Sequence, residues 1–146
     1  EPYMHASYLK VKVLELLLYL GTEKIQNTQV KVPYFAHTQV KKVKEIQKYM
    51  VSNLRQHYTL EQLSEQFDIP LTSMKACFKG VFGCSIYAYI KSYRMQAATV
   101  LLQNSDCSIT EIAMKMGYDN PSKFSEVFKK EYEMTPSEFR KKYIKA

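Results

Sequence analysis

The sequence has no tryptophan, and it carries just four glycines, five prolines and three cysteines in 146 residues. So few glycines and prolines argue against a turn-rich β-sandwich or barrel and favour helices. Cys77, Cys84 and Cys107 are odd in number and form no C-x-x-C pair, so neither a disulfide framework nor a zinc knuckle is signalled, and a reducing, cytoplasmic setting fits. All three are expected to be buried thiols. His5, His37 and His57 share no ligand spacing with one another or with cysteine, so no metal and no cofactor is expected. Paired carboxylates, a Ser/His/Asp constellation and a Gly-rich phosphate loop are all missing, which excludes the common catalytic classes, and no enzyme is expected. The longest apolar stretch, residues 13–20, spans eight residues and is interrupted by Glu15. That is far too short to cross a bilayer, and no membrane partner is expected.

What remains suits a folded helical chain. Hydrophobic residues make up 46% and charged ones 24%, enough for an ordinary core. With 21 Lys+Arg against 14 Asp+Glu the net charge is +7, which suits a polyanionic partner without requiring one. The excess is uneven: +1 over residues 1–37, +4 over 38–58, +1 over 59–104 and +1 over 105–146. Net charge is therefore a weak clue, and placement has to carry the reading.

Apolar side chains at Leu9, Val13, Leu16, Leu17 and Leu20, widened by Val11, Leu14 and Leu18, predict an N-terminal amphipathic helix within residues 1–22. Its apolar face is too wide for a helix lying on a solvated surface. Residues 23–37 are polar, contain Val32-Pro33 and read as a linker. Val40, Val43, Met50 and Leu54 then mark a helix, with Ile46 and Val51 at its margins.

The informative feature is an internal repeat. Shifted by 50 residues, Phe78-Lys79 aligns with Phe128-Lys129, Phe82 with Tyr132, Ser85 with Thr135, Tyr89 with Phe139 and Lys91 with Lys141. Upstream the shift is 49: Thr59 aligns with Ser108, Leu60 with Ile109, Leu63 with Ile112 and Ser64 with Ala113. One residue has entered the second copy between these parts, a place where only a turn would tolerate it.

Each copy opens on a capping box, Thr59-Leu60-Glu61-Gln62 or Ser108-Ile109-Thr110-Glu111. A short helix follows, over 60–67 or 109–116. It breaks at Asp68-Ile69-Pro70 or Gly117-Tyr118-Asp119-Asn120, and a second helix runs over about 71–82 or 121–132. Asn120-Pro121 places a cap residue before a proline at the first helical position, where the missing N–H costs nothing. Between the copies Ile86, Tyr89, Ile90, Tyr93, Ala97, Val100 and Leu101 keep helical spacing, predicting a connecting helix over 86–103. Thr135-Pro136-Ser137-Glu138 is a third box, so a last short helix closes the chain. The expected fold is all-α: two helix-turn-helix subdomains, 38–85 and 104–146, joined by the long helix and preceded by the N-terminal one.

A short helix, a tight turn and a second helix is the pattern whose second helix enters a DNA major groove, and two such units on a basic chain strengthen the reading. The resemblance goes further. Residues 108–113, Ser-Ile-Thr-Glu-Ile-Ala, lead to Gly117-Tyr118, Ser122-Lys123-Phe124-Ser125, Phe128-Lys129-Lys130 and Thr135-Pro136-Ser137-Glu138-Phe139-Arg140. With Phe78-Lys79, Gly83, Tyr89, Arg94, Ala98 and Leu101-Leu102 in the first copy, residues 38–144 resemble the DNA-binding domain of the AraC/XylS family of bacterial transcription regulators. Departures stand out in two places: in the first turn Asp68 occupies a position where that family usually has glycine and Pro70 one where a serine cap is usual, and Glu133 replaces another common glycine.

The resemblance implies sequence-specific recognition of double-stranded DNA by the second helix of each unit. Counting back from the shared Phe-Lys places the base-reading positions at Thr72, Lys75 and Ala76 in the first unit and at Ser122, Lys123 and Glu126 in the second. Lys75 suits guanine O6/N7, Glu126 suits cytosine N4, Thr72 and Ser122 suit either role, and Ala76 suits a thymine methyl. Backbone contacts are expected from Lys79, Lys129 and Lys130, and from the helix starts at Thr59 and Ser108. Lys41, Lys44, Lys48 and Arg55 read as a solvated stripe. Met74, Cys77, Phe78, Phe124, Val127 and Phe128 should face the core, as should Tyr89, Tyr93 and Tyr118. In such regulators a sensor or dimerisation domain commonly precedes the DNA-binding part, so residues 1–22 resemble its end. A second copy of the chain and RNA polymerase are therefore further candidate partners. The alternative is that the chain is the DNA-binding module of a larger multifunctional enzyme.

Overall fold

Seven helices order the chain from residue 37 onward in a computed structural model that describes residues 12–15, 18 and 35–143. They are α1 (His37–Ser52), α2 (Leu60–Gln66), α3 (Leu71–Phe82), α4 (Ile86–Asn104), α5 (Ile109–Lys115), α6 (Pro121–Tyr132) and α7 (Pro136–Tyr143). No strand occurs among the described residues. Residues 12–15 and 18 are helical, with Val13, Leu14 and Leu18 exposed. The rest of the expected N-terminal helix, and the linker through residue 34, lie outside the described residues. Residues Pro33–Ala146 form one compact unit and Glu1–Val32 another.

The boundaries follow from local chemistry. The Thr59 hydroxyl accepts from the Gln62 amide at 3.1 Å while the Gln62 side chain accepts from the Thr59 amide at 3.0 Å. Ser108 and Glu111 repeat this at 3.2 and 2.7 Å, and Thr135 and Glu138 at 3.3 and 2.7 Å. All three expected boxes are thus closed, each satisfying amides that a helix start leaves without an acceptor. The Asn120 side chain accepts from the amides of Ser122 and Lys123 at 2.9 and 3.4 Å, with Pro121 in the first turn. Nothing caps α3 in this way, since Pro70 precedes it.

Two cores of matching design sit at the two ends of α4. Val43, Ile46 and Met50 from α1 join Leu63, Ile69, Met74, Cys77, Phe78 and Ile86 in the first. Met95, Ala98 and Leu102 from α4 join Ile112, Ala113, Met116, Phe124, Phe128 and Phe139 in the second. Repeat partners occupy equivalent places: Met74 with Phe124, Phe78 with Phe128, Leu63 with Ile112. Fully burying one such side chain contributes roughly 1.5–3 kcal/mol, so these positions hold each unit together.

The connecting helix departs from the expected stripe. Its N-terminal half buries Ile86 and half-buries Tyr89 and Ile90 against the first core, whereas beyond that the buried side chains are Arg94, Met95, Ala98 and Leu102. Tyr93 and Val100 are 36% and 56% exposed, so the even spacing through 93, 97 and 100 does not mark one core face. The helix serves two cores lying on different sides of it, which a single periodicity cannot describe. Ile46 is fully buried rather than marginal, and Leu54 lies beyond the end of α1 and packs on the second core.

Candidate nucleic-acid interface

The turn between α2 and α3 bends on Asp68, whose φ of 46° is left-handed, and the turn between α5 and α6 bends on Gly117 at φ 77°. These two residues are repeat partners. Asp68 therefore adopts the conformation that glycine provides in the second unit. Lys42 supports it, its ammonium donating to the Asp68 carbonyl and lying 3.2 Å from the carboxylate. In both units a carbonyl of the short helix closes the turn: Ser64 accepts from the Ile69 amide at 3.0 Å, and Ala113 from the Tyr118 amide at 2.9 Å. Helices α3 and α6 end alike as well, on Gly83 (φ 77°) and Glu133 (φ 60°), whose amides donate to Lys79 and Lys129 at 2.9 and 2.8 Å.

These corners aim one face of each second helix outward. Thr72, Lys75, Ala76 and Lys79 on α3 are exposed, as are Ser122, Lys123, Glu126, Lys129 and Lys130 on α6. The opposite faces are buried through Met74, Cys77 and Phe78 and through Phe124 and Phe128, while Val127 is half-buried against the second core. Lys41, Lys44, Lys48 and Arg55 are exposed, as a solvated stripe requires.

The two exposed faces differ in charge. On α3, Lys75 and Lys79 stand without an acid on the same helix. On α6, Glu126 lies between Lys123 and Lys130 at 3.0 Å from each. Their hydrogen bonds and charges hold the Glu126 carboxyl below its ordinary range. At the helix starts the same contrast appears, because the first box is closed by neutral Gln62 and the second by Glu111, whose carboxyl is held low by the Ser108 amide and hydroxyl. The Thr59 and Ser108 amides are both taken up by those side chains. An incoming phosphate would therefore meet the amides of the next two residues.

Sequence reasoning missed a clasp between the units. A Cβ added to Gly117 would come within 2.8 and 2.9 Å of the Leu54 and Arg55 carbonyl oxygens and 3.0 Å of an Arg94 terminal nitrogen. Arg94 donates to the Gln56 carbonyl at 2.9 Å, and His57 Nε2 bonds the Gly117 carbonyl. The loop after α1 thus carries the turn of the second unit. An arginine among the apolar residues of α4 was the available signal.

Two further expectations need correction. Cys77 is buried and its thiol is pushed up by desolvation, but Cys84 and Cys107 are half-buried. Lys115 lies 3.1 Å from the Cys107 sulfur and, with Ser105, holds that thiol below its ordinary value. Tyr89 and Tyr118 pack on the cores as expected, whereas Tyr93 stacks on Tyr89 at 6.3 Å from the outer side. No cluster of metal-ligating side chains occurs among the described residues, and no helix among them is long and apolar enough to cross a membrane.

Comparison with known proteins agrees with this geometry. A family model described as a helix-turn-helix domain matches residues 63–142, more than half of the chain. The HTH-type transcriptional regulator ExsA of Pseudomonas aeruginosa is 35% identical over 98 residues, covering 67% of this chain and 35% of that protein. The lactose operon transcription activator of Staphylococcus xylosus is 31% identical over 120 residues, covering 80% and 43%. The chain thus spans between about a third and somewhat over two fifths of the length of these curated relatives. Among solved structures, the C-terminal domain of AraT, a response regulator from Geobacillus stearothermophilus, superposes with a TM-score of 0.68 at 27% identity, covering 72% of this chain and 88% of that one. The DNA-binding domain of AdpA, solved with a target DNA, shares the fold at a TM-score of 0.66 and 21% identity, covering 69% and 91%. These relatives carry the names of regulators, and nothing in them favours the enzyme-module alternative. Twin capped units on one connecting helix, the family model and the relatives converge: the chain belongs to the AraC/XylS family of helix-turn-helix transcription regulators.

Proposed function

We propose that the chain is a sequence-specific DNA-binding element of a transcription regulator, inserting α3 and α6 into adjacent major-groove segments on one side of the duplex. The observation that carries the reading is the pairing of two second helices, each exposing a polar, lysine-bearing face and burying the other, at the two ends of α4. With 19 residues, α4 is about 28 Å long, short of the roughly 34 Å between equivalent groove faces. Straight DNA would leave one helix short of its groove, so bending accompanies engagement of both.

In this reading Thr72, Lys75, Ala76, Ser122, Lys123 and Glu126 read bases, while Lys79, Lys129, Lys130 and the helix starts at Thr59 and Ser108 contact phosphates. On binding, Lys123 leaves Glu126 for a base edge and Lys130 leaves it for a phosphate, which frees the carboxylate to accept from cytosine N4. The first unit needs no such exchange.

Selection of bound sequences from a random pool, followed by mobility shifts, tests this. Lys75→Ala and Glu126→Gln are each expected to relax preference at one base pair by roughly 1–3 kcal/mol. Lys79→Ala and Lys129→Ala are expected to weaken all sequences alike and to reduce the salt slope by about one each. Unchanged preference in the first pair would reduce those residues to phosphate contacts. Inserting half a helical turn between half-sites is expected to abolish tight binding, and equal binding would mean that one unit alone reads sequence.

The same reading extends to residues 1–22 as the end of a preceding sensor or dimerisation region, to a second copy of the chain and RNA polymerase as partners, and to a cytoplasmic location. Sedimentation at several concentrations tests self-association, and a strictly monomeric chain would remove the second copy from this set.

A further inference from the structure

Between α1, α2 and α4, away from the exposed faces of the second helices, lies a cavity of about 220 Å³. Met50, Leu60, Leu63, Ile86 and Ile90 form its apolar walls, and Arg94 joins them together with Gln56, His57, Tyr58 and Tyr87. Arg94 is 8% exposed, the one buried charged side chain among the described residues. One terminal nitrogen donates to the Gln56 carbonyl, but Nε is buried with no partner. None of the ion pairs found among the described residues includes Arg94. The groups that act on its charge are the phenols of Tyr118, Tyr87 and Tyr58.

A guanidinium removed from water without a counter-charge is costly, and a single carbonyl offsets only part of that cost. The buried, unpartnered Nε–H and the uncompensated charge both call for an anion. Mostly apolar walls with a few polar groups that fix orientation are the design of a small-ligand site. Arginine's planar fork matches a carboxylate. A volume of about 220 Å³ lies below the usual roughly 300–1,000 Å³ of ligand pockets, which limits the apolar body to one ring or a short branched chain. Of the polar side chains in its walls, His57 is taken up by the Gly117 carbonyl and Tyr58 donates to Gln56, so Arg94 is the one permanent cation on offer and a single carboxylate suits the cavity better than a phosphate or a dicarboxylate.

We propose that this cavity binds a small monocarboxylic acid of arylalkanoate type, its carboxylate on Arg94 and its apolar body against Leu60, Leu63, Ile86 and Ile90. The site is separate from the proposed DNA-reading residues, so it stands or falls independently of them. It also shares Arg94 with the clasp that holds the second unit's turn.

The test uses the 146-residue chain labelled with nitrogen-15, titrated with 3-phenylpropionate, 3-phenylpropanamide and acetate. The readout is the Arg94 Nε–H resonance, assigned by its loss in Arg94→Lys. The acid is expected to shift it saturably, with the amide and acetate each weaker by about tenfold or more. Ile90→Phe, which fills the cavity, is expected to lose the response while keeping the dispersion of a folded chain. Equal binding of acid and amide, equal binding of acid and acetate, or no movement of the resonance with any of the three would overturn the proposal and leave Arg94 a structural residue hydrated at Nε. Should either variant fail to fold, the three ligands on the unaltered chain still decide, with the Arg94 resonance then assigned from its through-bond correlations.

Discussion

In the first helix-turn-helix unit the turn bends on Asp68 and the second helix ends on Gly83; in the second unit the turn bends on Gly117 and the helix ends on Glu133. All four have positive φ, at 46°, 77°, 77° and 60°. Each unit thus has one glycine and one acid at its two left-handed corners, in opposite order. The repeat preserves backbone conformation, and the side chain varies wherever space and a partner permit. Asp68 is exposed and held by Lys42, and Glu133 is exposed. A Cβ at Gly83 would meet nothing within 4 Å. Gly117 alone has no such freedom, because the Leu54 and Arg55 carbonyls occupy the space that a Cβ would need.

That contrast can be broken most sharply at Gly117. Gly117→Ala combines left-handed strain with collision against two backbone oxygens and is expected to cost about 3 kcal/mol, read from urea denaturation. Gly83→Ala carries the strain alone and is expected to cost about 1 kcal/mol. Equal losses at the two sites would mean that the clasp yields. Glu133→Gly is expected to stabilise by somewhat under about 1 kcal/mol, measured as a higher denaturation midpoint. Asp68→Gly should gain less, because it also forfeits the carboxylate near Lys42.

Acid separates the units in a different way. Glu111, Glu126 and Glu138, all in the second unit or its closing helix, are held below the ordinary 4.5 by the Ser108 amide, Lys123 and the Thr135 amide respectively. Their folded values are depressed, so their contribution is present above the unfolded value and is lost as pH falls through the folded ones. Gln62 does the corresponding work in the first unit without a titrating group. Amide exchange measured below pH 4.5 is expected to rise first in α5 to α7, and a first unit that loosens earlier would refute this. The smallest effect concerns Cys107, whose thiol should react with iodoacetamide faster than Cys77 or Cys84. Lys115→Met should slow it.

Much of this architecture was legible in the chain. The capping boxes, Asn120-Pro121 and the shifted repeat gave α3 and α6 their observed limits, because caps and turns are local chemistry. The exposed positions of Lys75 and Lys123 came from the family resemblance, counted back from the shared Phe-Lys. What stayed hidden depends on neighbours distant in sequence. Nothing local tells Asp68 to turn left-handed, since the support comes from Lys42 on α1. Tyr93 and Val100 looked like core because α4 is apolar on several sides, and only the placement of the two cores decides which side is covered. The pairing of Glu126 with two lysines was legible from i,i+3 and i,i+4 spacing, and it qualifies the residue as a base reader in a way that a position count does not.

The loop that follows α1 has a bearing on how such domains can be recombined. Leu54 packs on the second core, and the Leu54, Arg55 and Gln56 carbonyls surround Gly117 and Arg94. By chain order these residues belong to the first unit, yet by contact they belong to the second. A chimera that exchanges the second unit at the connecting helix would set a foreign turn on this loop, whereas one that carries residues 54–57 along transfers the seat with the turn. The boundary for exchanging the second unit is therefore discontinuous in the sequence.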